Sequence, residues 1–149
     1  MNTIKKFCKI SDYLACSGQP NHEQLALLAQ EKYEVIINIG LYNTDYLLPN
    51  EQGVVELLGT GILSYSVLFD KPQKENIFWF FNKMDSDDGR KTHVHCAANY
   101  RASSFVGLNL LYKERLTENE AEDFIYNIWQ PNPVWQAFIN EMLDEIKNK

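Results

Sequence analysis

One stretch narrows the choice of folds more than any other: Thr-His-Val-His-Cys-Ala-Ala-Asn-Tyr-Arg-Ala-Ser-Ser, residues 92–104. Thr92 to His95 read as a short buried strand. From Phe105 onward, Val106, Leu108, Leu110, Leu111 and Tyr112 read as an apolar helix. A tight loop joins the two, with Cys96 at its mouth and Arg101 where the helix begins. A loop entering a helix N-terminus aims several backbone N–H groups at one spot, and the helix dipole favours negative charge there. Such a spot holds an oxyanion and lowers the pKa of a thiol placed in it. Arg101 adds a planar, permanently charged fork suited to two oxygens of a tetrahedral anion. A lone cysteine at a strand end is ordinarily a small buried hydrophobe, and an arginine in a first turn is ordinarily solvated. Framed together by strand and helix, they read as an active site.

At 149 residues the chain suits one domain, 1–149, with a sizeable core. Apolar residues make up 45% and charged residues 23%, the balance of a folded chain rather than a disordered one. The apolar stretches are far too short to span a bilayer and no secretory leader is read ahead of them, so a membrane is not an expected partner. The net charge of −6, without any lysine- or arginine-rich run, argues against nucleic acid. Cys8, Cys16 and Cys96 show neither metal-ligand nor disulfide spacing, so no metal or cofactor is expected. A reduced, cytoplasmic setting is the natural inference, and it keeps a reactive thiol available. Nothing in the sequence speaks to oligomeric state.

In chain order, Phe7–Ile10 and Tyr13–Ser17 read as two short strands or one extended lead-in, broken by Gly18-Gln19-Pro20. Asn21 and Gln24 form a capping box for a helix that buries Leu25, Leu28 and Tyr33. Glu34–Ile39 is a strand with little alternation, as expected when both faces of a sheet are covered. A polar connection over 40–50 leads to a helix over 51–58, ended by Gly59 and Gly61. Ile62–Leu68 is the next strand, and Phe69-Asp70-Lys71-Pro72 leaves its carboxyl end as a loop. Ile77, Phe78, Phe80, Phe81 and Met84 mark a helix over 74–84, followed by an Asp- and Gly-rich turn over 85–90. Thr117 and Glu120 cap a helix buried through Ala121, Phe124, Ile125 and Ile128. Beyond Pro131 and Pro133, a last helix over 134–147 turns Val134, Trp135, Phe138, Ile139, Met142, Leu143 and Ile146 inward. Strands alternating with helices imply an α/β fold of three layers, a mostly parallel sheet flanked by helices. In such sheets ligands bind beyond the carboxyl ends of strands, which gathers the loops after Ile39, Leu68 and His95 along one edge. Asp70 then comes within reach of Cys96.

His95-Cys96-Ala97-Ala98-Asn99-Tyr100-Arg101 resembles the His-Cys-x-x-Gly-x-x-Arg-Ser/Thr signature of the cysteine-dependent protein tyrosine and dual-specificity phosphatases. Ser17-Gly-Gln-Pro20 before a capped helix, the strand ending Ile-Ile-Asn-Ile39 and the strand leading to Asp70 are similar to a bacterial branch, the phosphatase-like domains related to beta-lactamase hydrolase-like proteins. The likeness covers roughly residues 8–130 as a framework, and specific residues carry it only in these patches. This loop has four residues between Cys96 and Arg101 where the full signature has five, a shortening that the bacterial branch shares (Cys-x-x-Gly-x-Arg). Asn99 stands where that pattern has glycine, and asparagine is the residue after glycine most at ease with positive φ. Ala102 replaces a hydroxyl that the family uses to stabilise the thiolate, a role open to Ser103 or Ser104.

The resemblance implies a dual-specificity-type phosphatase acting on a phosphorylated protein or small molecule. Cys96 attacks as thiolate and forms a phosphocysteine, while the amides of 97–101 and Arg101 bind the phosphoryl oxygens. Asp70 is the candidate general acid, with Asp45 as a competing carboxylate. His95 is expected to hydrogen-bond the loop backbone, and His93, one pleat out of phase, to be structural. Tyr100 is read as packing the loop, with stacking on an aryl substrate as the alternative. Two other classes compete. Rhodanese-type sulfurtransferases also carry a Cys-x4-Arg loop between strand and helix, and a phosphate-binding module with catalysis lost would tolerate Asn99 and Ala102.

Overall fold

The computed structural model describes residues 3–40, 48, 50–86 and 89–148. Strands β1 (Cys8–Ser11), β2 (Leu14–Ser17), β3 (Val35–Asn38), β4 (Gly61–Ser64) and β5 (Thr92–His95) form one sheet in the order β1-β2-β5-β3-β4. Among the described strands only the β1–β2 pair is antiparallel, so the sheet is mostly parallel, as its alternation with helices predicts. The helices are α1 (His22–Gln30), α2 (Glu51–Leu57), α3 (Lys74–Ser86), α4 (Tyr100–Tyr112), α5 (Glu118–Ile128) and α6 (Pro133–Lys147).

Both sheet faces are covered, which is why β2, β3 and β5 are buried along their whole length. On one face Val35, Ile37 and Val94 pack with Ile77 and Phe80 of α3, Phe105 of α4, Ile125 of α5 and Trp135 of α6. On the other, Ala15 and Ile36 meet Leu25 and Leu28 of α1 and Val55 of α2. The expected capping boxes of α1 (Asn21, Gln24) and α5 (Thr117, Glu120) both close. Asn132 caps α6 with Pro133 in its first turn, where a missing N–H costs nothing.

Three expectations need correction. β4 stops at Ser64 instead of running to Leu68, because its partner β3 ends at Asn38. The chain continues past it by an isolated antiparallel bridge between Gly40 and Ser66. α4 begins at Tyr100, so the apolar run from Phe105 is only its later part and Arg101 is its second residue. Val134 faces outward at 47% exposure, since α6 turns Trp135, Phe138 and Ile139 to the core.

The parallel register sets Ser17 and Asn38 level with His95, and Ser64 level with Asn38. The segments following β2, β3, β4 and β5 therefore leave the sheet at one edge.

Candidate active site

β5 delivers Cys96 to that edge, and the loop after it is held on several sides. Cys96 N–H donates to Ser17 O at 3.4 Å, and Gln19 N–H donates to Ala97 O at 3.0 Å. Gly18 bridges Ala98, so close that a Cβ on it would stand 2.7 Å from Ala97 O. This contact explains glycine in the Ser-Gly-Gln-Pro segment: any side chain would push the loop away. Asn99 takes the left-handed conformation at φ 68°, the geometry for which asparagine is the best substitute for glycine. Its side-chain amide donates to Lys6 O at 2.9 Å, so the turn is also tied to the N-terminal segment.

The sulfur of Cys96 sits beneath this turn, 2% exposed, and accepts the Ala102 N–H at 3.4 Å. Among the described residues, the amides of Ala97, Ala98, Tyr100 and Arg101 have no acceptor. These N–H groups, at the N-terminus of a helix whose dipole adds positive potential, can receive the oxygens of a tetrahedral anion. Ser103 and Ser104 do not supply the missing hydroxyl: both donate to Tyr100 O, at 3.1 and 2.9 Å. A backbone amide serves the sulfur in their place.

Arg101 is buried at 4% exposure, and its Nη1 donates to Val67 O at 2.7 Å. Its Nη2 and the Cα and Cβ of Cys96 all lie 3.1 Å from where a Cβ on Gly40 would stand, so guanidinium and cysteine flank the same glycine. The Phe69 ring lies 5.9 Å from the guanidinium carbon, and Phe69 O accepts the Trp135 indole N–H at 2.6 Å. Asp70 follows directly and is exposed, on a segment anchored to Arg101 through Val67 and to α6 through Phe69. Asp45 lies outside the described residues. Tyr100 stacks on Trp129, ring centroids 4.6 Å apart and planes within 6°, which is the packing role.

The two histidines of β5 are both fully buried. His95 makes the expected contact with the loop backbone, Nδ1 to Cys96 O at 3.5 Å, and its Nε2 makes a shorter one, 2.6 Å to Glu51 Oε2. The ring thus bridges the loop backbone and a buried carboxylate. His93 shares a sheet face with His95, their ring centroids 6.3 Å apart. Its Nε2 meets Ser17 Oγ at 2.7 Å, Phe7 stacks on it, and its buried Nδ1 has no partner among the described residues. Burial, and then the charge of His95, hold His93 well below the usual histidine range.

Glu51 is the residue that the sequence did not flag. Buried at the first position of α2, it takes the His95 ring on one oxygen and Asn38 Nδ2 on the other at 2.9 Å. Burial pushes its carboxyl up, but the hydrogen bond and charge of His95, with the amides of Asn38 and Gln19, bring it below its ordinary value. Asn38 Oδ1 in turn accepts the N–H of Gly40 at 2.9 Å. Cys8 and Cys16, eight residues apart in sequence, are paired directly across β1–β2. A hydrogen bond with Cys16 brings Cys8 down to about 7, and that bond together with burial pushes Cys16 up.

Among the described residues no group of His, Cys, Asp and Glu is arranged to hold a metal, and no helix is long and apolar enough to cross a membrane.

No family model matches the sequence, and no curated protein matches it. Solved structures do. A phosphatase-like DUF442 protein from Shewanella putrefaciens CN-32 superposes at TM-score 0.88 with 30% identity, over 97% of this chain and 95% of that one. Tk-PTP in its active form superposes at 0.76 with 21% identity, over 97% of each chain. PTPMT1 in complex with PI(5)P also reaches 0.76 at 18% identity, over 95% of this chain and 97% of its own. At these lower identities the likeness is one of fold.

Proposed function

Because the chain belongs, with the DUF442 proteins, to the cysteine-based protein tyrosine phosphatase-like family, we propose that it hydrolyses a phosphomonoester through a phosphocysteine intermediate. The observation that carries this reading is the seat of the Cys96 sulfur. That sulfur accepts the Ala102 N–H at a helix N-terminus, the amides of Ala97, Ala98, Tyr100 and Arg101 have no acceptor among the described residues, and the buried Arg101 guanidinium packs against the same glycine as Cys96.

The phosphoryl group enters with its non-bridging oxygens on the amides of 97–101 and on Arg101. The Cys96 thiolate attacks phosphorus and forms the S–P bond as the P–O bond to the leaving group breaks. The donors stabilise charge on the equatorial oxygens as it develops. Asp70 protonates the leaving oxygen, and in the second step its carboxylate takes a proton from the water that attacks the phosphocysteine. Inorganic phosphate departs and the thiolate is restored.

Sulfur transfer ranks below this reading, because the loop length is all that favours it. Loss of catalysis ranks below it too: Asn99 adopts the left-handed turn that glycine would take, and Ala102 N–H occupies the place of the lost hydroxyl. PTPMT1 was solved with a phosphoinositide, and a phosphorylated protein or small molecule is the substrate class assigned to this chain. We further take residues 1–149 as one dual-specificity-type domain acting in the reduced cytoplasm, which keeps Cys96 as a thiol.

The test is direct. Purified protein hydrolyses an aryl phosphate, vanadate inhibits it, and Cys96→Ser abolishes turnover. Turnover untouched by Cys96→Ser overturns the mechanism. Thiosulfate–cyanide sulfur transfer with no phosphatase activity hands the site to sulfur chemistry, and phosphate binding without turnover hands it to a binding module.

A further inference from the structure

We propose that Glu51 is a positioning residue for the cysteine loop, acting as a charged acceptor that ties together the ends of β3 and β5. The inference rests on the phosphatase reading and adds to it a residue that touches neither substrate nor sulfur.

The two central strands that frame the site, β5 and β3, each send one donor to this carboxylate. From the end of β5, His95 Nε2 donates to Oε2 at 2.6 Å, and the next residue is Cys96. From the end of β3, Asn38 Nδ2 donates to Oε1 at 2.9 Å. Asn38 then holds Gly40, the glycine flanked by Cys96 and Arg101. At the exit of β2, the Gln19 side-chain amide donates to Pro20 O at 3.0 Å and its backbone N–H holds Ala97 O at 3.0 Å, so this segment braces the loop from the other side. Glu51 is thus one intervening residue, His95, from the nucleophile, and through Asn38 it holds Gly40, the glycine packed against both Cys96 and Arg101.

The chemistry required at position 51 is narrow. All the partners are donors, and an ionised carboxylate is the one side-chain terminus that accepts through both of its arms. Glutamine has the same length but turns one arm into a donor. Facing Asn38, that donor meets the amide that already donates. Turned toward His95, it forces the imidazole proton from Nε2 to Nδ1. Asn38 cannot compensate by flipping, because its Oδ1 is committed to the Gly40 N–H. Aspartate is shorter yet keeps both acceptors and the charge. A residue that only fills space would therefore rank Gln above Asp, whereas a charged acceptor ranks Asp above Gln.

The experiment compares wild type, Glu51→Gln and Glu51→Asp by kinetics on an aryl phosphate and by NMR of the free proteins. We expect Glu51→Gln to lose roughly tenfold to a hundredfold in kcat, with KM changed less than about threefold, the scale expected of a reacting group displaced by up to an ångström. Glu51→Asp should recover part of that loss. In the spectra, the His95 Nε2–H signal should vanish in Glu51→Gln, and the backbone amides of 96–101 should shift with it. Amide shifts confined to His95, or Gln matching or outperforming Asp, overturn the proposal. If Glu51→Gln does not fold, Glu51→Asp alone decides: unchanged loop amides and wild-type kcat refute it. Wild type inert on every phosphomonoester sinks the phosphatase reading instead, and the loop amide shifts still report on Glu51.

Discussion

Gly40→Ala is the perturbation that most sharply probes the juxtaposition of Cys96 and Arg101. Gly40 does not use a positive φ, so alanine costs nothing in backbone conformation and the effect is purely steric. The new methyl would stand 3.1 Å from Arg101 Nη2 and from both Cα and Cβ of Cys96, against an ordinary contact of 3.4 Å or more. Neither neighbour yields freely. The guanidinium is buried and held to Val67 O at 2.7 Å, and Cys96 is fixed by the end of the central strand. Overpacking of a core costs about 1–3 kcal/mol, and contacts this slightly short belong at the lower end. For a domain of this size, ~1 kcal/mol lowers Tm by about 2–4 °C. Catalysis should suffer more than stability. A misplacement of ~1 Å can cost ~100-fold, so a few tenths of an ångström between nucleophile and clamp corresponds to a kcat loss on the order of fivefold to tenfold. Thermal melts and aryl phosphate kinetics on the same preparation measure both quantities. Wild-type kcat with wild-type Tm would mean that Gly40 is not wedged between the two, and the geometry assigned to the pair would be wrong.

Two further substitutions address other parts of the site. Asp70→Asn should slow aryl phosphates with poor leaving groups more than those with good ones, because only the former need the proton. Equal slowing across a leaving-group series removes Asp70 from the acid role. His93 titrates in the unfolded chain near its ordinary 6.5 but is held well below that when folded. The unfolded state therefore binds the extra proton first, so the contribution of His93 is complete above 6.5 and is lost as pH falls below it, by up to roughly 1.4 kcal/mol per pH unit. His93→Phe should flatten the decline in Tm between pH 7 and 5 relative to wild type, and an unchanged slope would contradict the assignment.

Much of the framework was legible because it is local. Capping boxes at Asn21 and Thr117, the unalternating run ending at Asn38, and the strand–loop–helix around Cys96 each follow from residues a few positions apart. Asn99 could be read as a left-handed turn on residue chemistry alone. What escaped was long-range. A glutamate opening a helix ordinarily reads as a solvated residue favoured by the dipole, and nothing in its neighbours announces that His95 lies 44 positions away. Val67 contributes through its carbonyl, which carries no side-chain signature. Cys8 and Cys16 meet because a tight antiparallel pair brings them opposite each other, a fact about register that spacing alone does not reveal. The hydroxyls of Ser103 and Ser104 turned to the helix backbone because Tyr100 O offered them an acceptor one turn back, a competition that composition does not decide.

Rapid acid quench of the protein turning over an aryl phosphate, followed by mass spectrometry of the peptide containing residue 96, tests the central claim most directly. The account predicts a phosphoryl adduct on the Cys96 sulfur that forms within the first turnover and decays as phosphate is released. Steady phosphate release with that sulfur unmodified at every time point, and undiminished in Cys96→Ser, would contradict it.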